Sequence, residues 1–282
     1  MLSYRHGFHA GNWADVQKHT ALALLLGHLR RKDKPFCVLD AFAGDGIYDL
    51  SAPEALKTGE FQEGIARIWQ RQDAPAGADW YLDQVRALNP DNALSRYPGS
   101  PALARAALRD TDRLILGELH PASHQTLKGW AARDRRIALH RRDALEFLDA
   151  LIPPPVRRGL VLVDPAYEVK DEYETLPRAL ARALAKWREG IYAVWYPVLS
   201  AGRHLTMIEA LARLPAQAGI LRAEIAPPRP PATGMQGAGM IIVNPPWQFA
   251  EDMTVAGDWI AGALWDGPTN CHAVSWLADP LD

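Results

Sequence analysis

Four short apolar runs, each closed by a carboxylate and separated by helical stretches, constrain this chain more than any other feature. Phe36-Cys37-Val38-Leu39 ends at Asp40, Leu114-Ile115-Leu116-Gly117 at Glu118, Ile137-Ala138-Leu139-His140 shortly before Asp143, and Leu160-Val161-Leu162-Val163 at Asp164. A fifth run, Ile191-Tyr192-Ala193-Val194-Trp195, follows. Strands without polar alternation are apolar on both faces and need helices on both sides, so the pattern predicts a doubly wound, mostly parallel α/β sheet. Ligands of such sheets bind beyond the carboxyl ends of the strands. Asp40, Glu118, Asp143 and Asp164 are therefore expected to meet in one crevice.

Apolar spacing predicts a helix over 15–29 that carries Lys18 and His19 in its first half. Residues 50–97 contain no strong strand, show helical patterns at 61–70 and 79–88, and break at Pro75-Ala76-Gly77 and Asn89-Pro90-Asp91. That is too long for a plain connection, so it is read as a helical subdomain inserted after the start of the helix that follows the first strand. Residues 1–49 and 98–282 then form the main domain, with 1–30 as an N-terminal motif and helix. Toward the end, runs at 223–226 and 240–243 flank a Pro-rich and Gly-rich stretch, which predicts an antiparallel hairpin. Trp247, Trp259, Trp265 and Trp276 are read as core packing rather than as a binding surface.

The 282 residues carry 31 basic and 33 acidic groups, for a formal net charge of −2, which excludes a chain that coats nucleic acid through sheer positive charge. Three local basic clusters remain: Arg30-Arg31-Lys32 with Lys34, Arg133 with Arg135, Arg136, Arg141 and Arg142, and Arg157-Arg158. Cys37 and Cys271 stand far apart, without ligand spacing, so neither a disulfide framework nor a thiolate metal site is expected. His6, His9 and His19 lack the spacing of a metal cluster, and no metal is expected. The apolar run 21–26 is too short for a membrane span, and a reducing, cytoplasmic setting fits.

Asp40-Ala41-Phe42-Ala43-Gly44-Asp45-Gly46 follows its strand directly, and closely spaced glycines there let backbone approach a ligand at a helix start. Leu50 stands where a dinucleotide fingerprint needs its third small residue, which disfavours a nicotinamide site. Asp164-Pro165-Ala166-Tyr167 closes the fourth strand. Asn244-Pro245-Pro246-Trp247 looks superficially similar, but it follows too many elements and is read as a structural turn.

Taken together, these residues resemble the class I S-adenosylmethionine-dependent methyltransferases. Asp40 to Gly46 is similar to their first cofactor motif, and Asp164 to Tyr167 to the Asp-Pro-Pro-Tyr tetrad of amine-methylating members. The N-terminal stretches Leu2-Ser3-Tyr4-Arg5-His6, Phe8-His9-Ala10-Gly11-Asn12, Ala14-Asp15-Val16 and Lys18-His19, with Tyr97-Pro98-Gly99-Ser100-Pro101, resemble the RlmJ family. That family methylates adenine N6 in bacterial 23S ribosomal RNA. The resemblance implies a seven-stranded Rossmann-like sheet and S-adenosyl-L-methionine held by Lys18, His19, Asp40, Phe42, Gly44, Gly46, Ser100, Glu118, Asp143, Ala144 and Asp164. Within that set it puts His19 and Ser100 at the methionine end, Glu118 at the ribose, and Asp143 with Ala144 at the adenine. It implies Asp164, Pro165, Tyr167 and Lys18 as catalytic, and Tyr4, His6 and Tyr167 as contacts to the RNA. The implied partner is a structured hairpin of 23S ribosomal RNA carrying adenine 2030, met by a monomer. Phe42 and Ala166 depart from the family pattern, since relatives can carry His at the first and the tetrad carries Pro at the second.

The tetrad has a physical rationale. An exocyclic amine delocalises its lone pair into the base ring and is a poor nucleophile until the site rehybridises it in line with the methyl donor. Two acceptors on its N–H groups, the Asp164 carboxylate and the Pro165 carbonyl, do this, while Tyr167 stacks on a base turned out of its RNA neighbours. Other exocyclic amines, guanine N2 or adenine in DNA, remain open alternatives. So does a non-enzymatic adenosine-binding protein, which would need Glu118 and Asp143 but not the tetrad.

Overall fold

The computed structural model describes residues 4–265 and 271–280; Leu2 and Ser3 of the N-terminal motif lie outside the described residues. A 3₁₀ turn at His6–Phe8 leads to α1 (Trp13–Arg30), β1 (Cys37–Asp40) and β2 (Ile47–Asp49). Three helices follow, α2 (Pro53–Thr58), α3 (Ile65–Ile68) and α4 (Ala78–Leu88), then β3 (Arg96–Pro98) and α5 (Ser100–Ala107). The alternating part runs β4 (Arg113–Gly117), α6 (Pro121–Ala131), β5 (Ile137–His140), α7 (Ala144–Leu151), β6 (Gly159–Val163), α8 (Glu172–Lys186) and β7 (Ile191–Leu199). The chain closes with α9 (Arg203–Ala212), β8 (Ile220–Ile225), β9 (Met235–Val243), α10 (Phe249–Trp265) and β10 (His272–Ala278).

One sheet in the order β10-β8-β9-β7-β6-β1-β4-β5 organises the molecule. Its β5, β4, β1, β6 and β7 are parallel, and β9, β8 and β10 add antiparallel ladders beyond β7. The count is eight strands where seven were expected. The extra one, β10, is a half-buried edge strand paired only with β8, so it lacks the continuous apolar run that marks the others. Alternate residues of the central strands supply two cores. Val38, Leu160 and Leu162 pack with helices α1, α4, α5 and α10, whereas Leu39, Val161 and Val163 pack with α7, α8 and α9.

Two other sequence readings are corrected. The glycine loop after β1 leads into β2 rather than into a helix, and β2 pairs antiparallel with β3. The helix facing the crevice is α5, delivered only after residues 50–97. Residues 61–70 form a 3₁₀ turn at Glu60–Glu63 and a single α turn, α3, because Gly64 breaks the run with its backbone tight against Gly11 and Asn12. Ile65, Ile68, Tyr81, Leu82 and Val85 of this region share the core of α1.

The tryptophans divide. Trp259 and Trp265 pack against the core as expected, but Trp247 is 77% exposed and Trp276 42%. Asn244, just before Trp247, holds a turn at the far end of the sheet. Its side chain accepts from the Gln217 and Ala218 N–H groups and donates to the Arg188 and Gly190 carbonyls. No helix among the described residues is long and apolar enough to cross a membrane.

Candidate active site

Helix α1 is covered by the sheet on one side and by α4, α5 and α10 on the other, so it is buried around most of its circumference. Asn12 caps it, its side chain accepting from the Asp15 N–H at 2.8 Å. Asp15 and Lys18, one turn apart, are therefore taken out of water as a pair. Lys18 Nζ donates to Asp15 Oδ1 at 2.7 Å and to Asp164 Oδ2, at the end of β6, at 2.5 Å. Burial works to lower the Lys18 pKa, but the two carboxylates outweigh it and raise it above the usual lysine range. Burial likewise opposes the Asp15 charge, and His6 with Lys18 overcomes it, holding that carboxyl well below the ordinary value.

Asp15 also ties down the N-terminal segment. It accepts from the Gly11 N–H at 2.9 Å and meets His6 Nε2 at 2.9 Å, while His6 Nδ1 meets the Tyr4 hydroxyl at 2.8 Å. An unbroken polar chain, Tyr4–His6–Asp15–Lys18–Asp164, thus runs from the N-terminal segment to the tetrad. Asp15 was missed as a site residue by sequence reasoning. Its signal was present, an acid and a base three residues apart near the start of a helix otherwise expected to be apolar.

A cavity of about 260 Å³ opens beyond the strand ends, and most of the expected site residues line it. Tyr4 and His6 come from the N-terminal segment, Lys18 and His19 from α1, Phe42 and Gly44 from the loop after β1, and Ser100 from the start of α5. Glu118 follows β4, Asp143 and Ala144 open α7, and Asp164 follows β6. Four expected residues do not line it. Asp40 lies beneath, 1% exposed, accepting from Ser100 Oγ at 2.6 Å and the Phe42 N–H at 3.2 Å. Burial, only partly offset by those two bonds, pushes its carboxyl up to about 7. Gly46 turns away toward Leu127 and Trp130, and Pro165 is buried. Tyr167 is half-buried between the lining residues Ala166 and Glu168, its ring stacked on Tyr173 at 4.6 Å and its hydroxyl donating to the Trp195 carbonyl at 2.7 Å. Leu119, His120, Glu168 and Glu172 line the cavity without having been singled out.

Gly44 takes a φ of +63°, and a side chain there would collide with the Tyr48 hydroxyl, so the loop needs this residue type to turn into the cavity. Glu118 is anchored by the N–H groups of Gly44 at 2.8 Å and His120 at 2.6 Å, one per carboxylate oxygen. Each oxygen keeps an acceptor position for a ligand hydroxyl. Burial raises its pKa, and those two N–H groups partly counter it. Asp143 caps α7, accepting from the Leu145 N–H at 2.9 Å through Oδ1, and among the described residues its other oxygen has no hydrogen-bond partner. The polar lining combines the carboxylates Glu118, Asp143 and Asp164 with Lys18 and His19, and the small residues Ala41, Ala43, Gly99 and Ala144 line it beside them. Such lining fits a flat, diol-bearing nucleoside with a charged amino-acid tail. Among the described residues no group of three or more His, Cys, Asp or Glu could hold a metal ion.

Comparison with known proteins gives this geometry a lineage. The profile of the family described as Ribosomal RNA large subunit methyltransferase D, RlmJ, matches residues 33–278. The chain belongs to the RlmJ family. It is 42% identical over 278 residues to the Ribosomal RNA large subunit methyltransferase J of Escherichia coli (strain K12), covering 98% of this chain and 99% of the relative. To the protein of the same name from Haemophilus influenzae it is 37% identical, again across 98% and 99%. Among solved structures, protein LPL1258 from Legionella pneumophila superposes with a TM-score of 0.87 at 33% identity, covering 96% of this chain and 98% of that one. As an RlmJ member the chain is a large-subunit ribosomal RNA methyltransferase.

Proposed function

We propose that the cavity holds S-adenosyl-L-methionine and that the protein methylates the exocyclic N6 of one adenine in 23S ribosomal RNA, adenine 2030 by family resemblance. The observation that carries this reading is the buried Lys18 that fixes Asp164 at the cavity wall through Oδ2. That contact leaves Oδ1 of the tetrad carboxylate available to a second donor, which is what an amine N–H requires.

When bound, S-adenosylmethionine supplies a methyl group on a positively charged sulfur. The chain supplies orientation. The Asp164 carboxylate and the Pro165 carbonyl accept the two N–H groups of the amine, which draws the lone pair out of conjugation and points it at the methyl. Lys18 keeps Asp164 in place while the amine gains positive charge, and Asp15 keeps Lys18 in place. Tyr167, held by Tyr173 and the Trp195 carbonyl, serves as the platform for a base turned out of its stack. Glu118 takes the ribose diol, and Asp143 with the backbone at Ala144 takes the adenine edge. Tyr4 and His6 meet the RNA at the mouth, and the insertion at 50–97 flanks them through the Arg5–Glu54 contact. The enzyme is taken to act as a monomer in the cytoplasm on a structured hairpin.

The test is direct. Protein incubated with methyl-labelled S-adenosylmethionine and unmodified 23S ribosomal RNA should yield labelled N6-methyladenosine after nucleoside digestion, and Asp164→Ala should yield none. Labelled N2-methylguanosine would move the target to guanine. Absence of label from all RNA would refute the reading.

A further inference from the structure

Helix α4, in the inserted segment, and β3, which ends it, send two buried tyrosines against α1. The Tyr97 hydroxyl lies 2.7 Å from His19 Nδ1 and 2.9 Å from the Tyr81 hydroxyl, and all three residues are shut away from solvent. The Tyr81 hydroxyl has no other hydrogen-bond partner among the described residues. His19 lines the cavity, and its Nε2 has no protein partner among the described residues.

Counting protons settles the direction of this chain. Suppose His19 donated from Nδ1 to Tyr97. Tyr97 would then donate to Tyr81, and the Tyr81 O–H would be buried with nothing to accept it, at a cost of roughly 1–3 kcal/mol. In the opposite sense Tyr81 donates to Tyr97 and Tyr97 donates to Nδ1, so both buried hydroxyl hydrogens are used and the nitrogen left over is the one on the cavity side. The single N–H proton of the neutral ring then resides on Nε2. Burial, aided by the Lys18 cation and only partly opposed by the Asp15 carboxylate, lowers the imidazole pKa to about 3, so the ring is neutral and the choice of nitrogen is decisive.

We infer that Tyr81 and Tyr97 are positioning residues that lock His19 as its Nε2–H tautomer, presenting a donor to an anionic group at that end of the cavity. Resting on the cofactor reading above, the group is the α-carboxylate of a nucleoside bearing an amino-acid tail. The tyrosines belong to the polypeptide on either side of residue 90, so the inserted segment would reach the cofactor through one ring nitrogen of α1.

The first measurement is long-range ¹H–¹⁵N correlation on the full protein with ¹⁵N-labelled histidine, the His19 signals being assigned by their loss in His19→Gln. A pyrrole-type Nε2 and a pyridine-type Nδ1 are expected near neutral pH; a pyrrole-type Nδ1 overturns the inference. The second uses two probes, S-adenosylhomocysteine, which has the carboxylate, and methylthioadenosine, which lacks it. Tyr97→Phe should weaken the first by about tenfold and leave the second unchanged. Equal loss of both, or no loss of either, overturns it. If wild-type protein binds neither probe, the cofactor reading fails, while the nuclear resonance result still decides the tautomer.

Discussion

Replacing Lys18 by Met keeps an unbranched apolar stem that reaches to the ε position and removes the cation at its tip, which makes it the sharpest test of the buried polar chain. Lys18 is 3% exposed and serves two carboxylates, Asp15 at 2.7 Å and Asp164 at 2.5 Å. Without it, Asp15 is a buried anion left with the His6 ring and the Gly11 N–H as its side-chain partners. Breaking a buried pair by removing one partner costs roughly 3–5 kcal/mol. A chain of 282 residues has an unfolding entropy of about 0.6 kcal/mol per kelvin, so Lys18→Met should lower Tm by about 5–8 °C at pH 7.5. The pH dependence carries a definite sign. In the wild type Asp15 has a depressed pKa, so its contribution is present above the ordinary carboxylate value and is lost only as pH falls through the depressed one. In the variant, burial raises that pKa, and the penalty grows as pH rises above the ordinary value. The gap between the two proteins should therefore be wide at pH 7.5 and narrow toward pH 4.5, and the double variant Asp15→Asn with Lys18→Met should recover part of the loss. Thermal melts followed by circular dichroism read all of this. A Tm change below about 2 °C, or one of equal size at both pH values, would refute the claim that Lys18 neutralises buried charge.

Other outcomes are equally open to measurement. Glu118→Ala should weaken S-adenosylhomocysteine binding in calorimetry about tenfold or more, since it removes a buried charged acceptor, while Tm without ligand changes little. Asp40, whose carboxyl is raised to about 7 by burial, contributes stability at low pH that is lost as pH rises through that value. Asp40→Asn should accordingly flatten the decline in Tm between pH 5 and pH 8 and be relatively more stable at the upper end. Arg136 is already engaged by Asp134 and the Leu108 carbonyl, and Arg158 by the Lys34 and Leu29 carbonyls, so neither should matter for RNA. Arg141→Ala with Arg142→Ala should weaken RNA binding and reduce the slope of log affinity against log salt by roughly one unit per lost phosphate contact, whereas Arg136→Ala should leave the slope unchanged.

Much of the site was legible because strand ends are local. A run such as Leu160-Val161-Leu162-Val163 announces a buried strand, and the residue that closes it must lie at a strand end, so Asp40, Glu118 and Asp164 could be gathered without a structure. What they do there was less visible. Asp40 looks like a ligand by position, yet it turns inward to hold Ser100 and the Phe42 N–H, a role set by a residue sixty positions away. Tyr81 and Tyr97 carry no periodic signal that links them to His19, since their pairing depends on how α4 crosses α1. The strands β2 and β3, three residues each, are too short for a two-residue period to register, and β10 is half-buried along its length. Asp15 shows the opposite case, with a readable i, i+3 partner whose burial could not be guessed from an ordinary helix start.

The glycine loop and α5 meet although their sequences do not. The Gly99 N–H donates to the Gly46 carbonyl at 2.8 Å, and Ile47 faces Pro98 across the β2–β3 ladder. During synthesis at about 5–20 residues per second, the loop is therefore made roughly 3–10 s before the helix that completes it, and Asp164 follows later still. A nascent chain released before Ser100 would lack β4 and β6, which flank β1, and Glu118, which holds the Gly44 N–H, so ligand capture is a property of the finished fold and binds the maturation of the pocket to the completion of the chain.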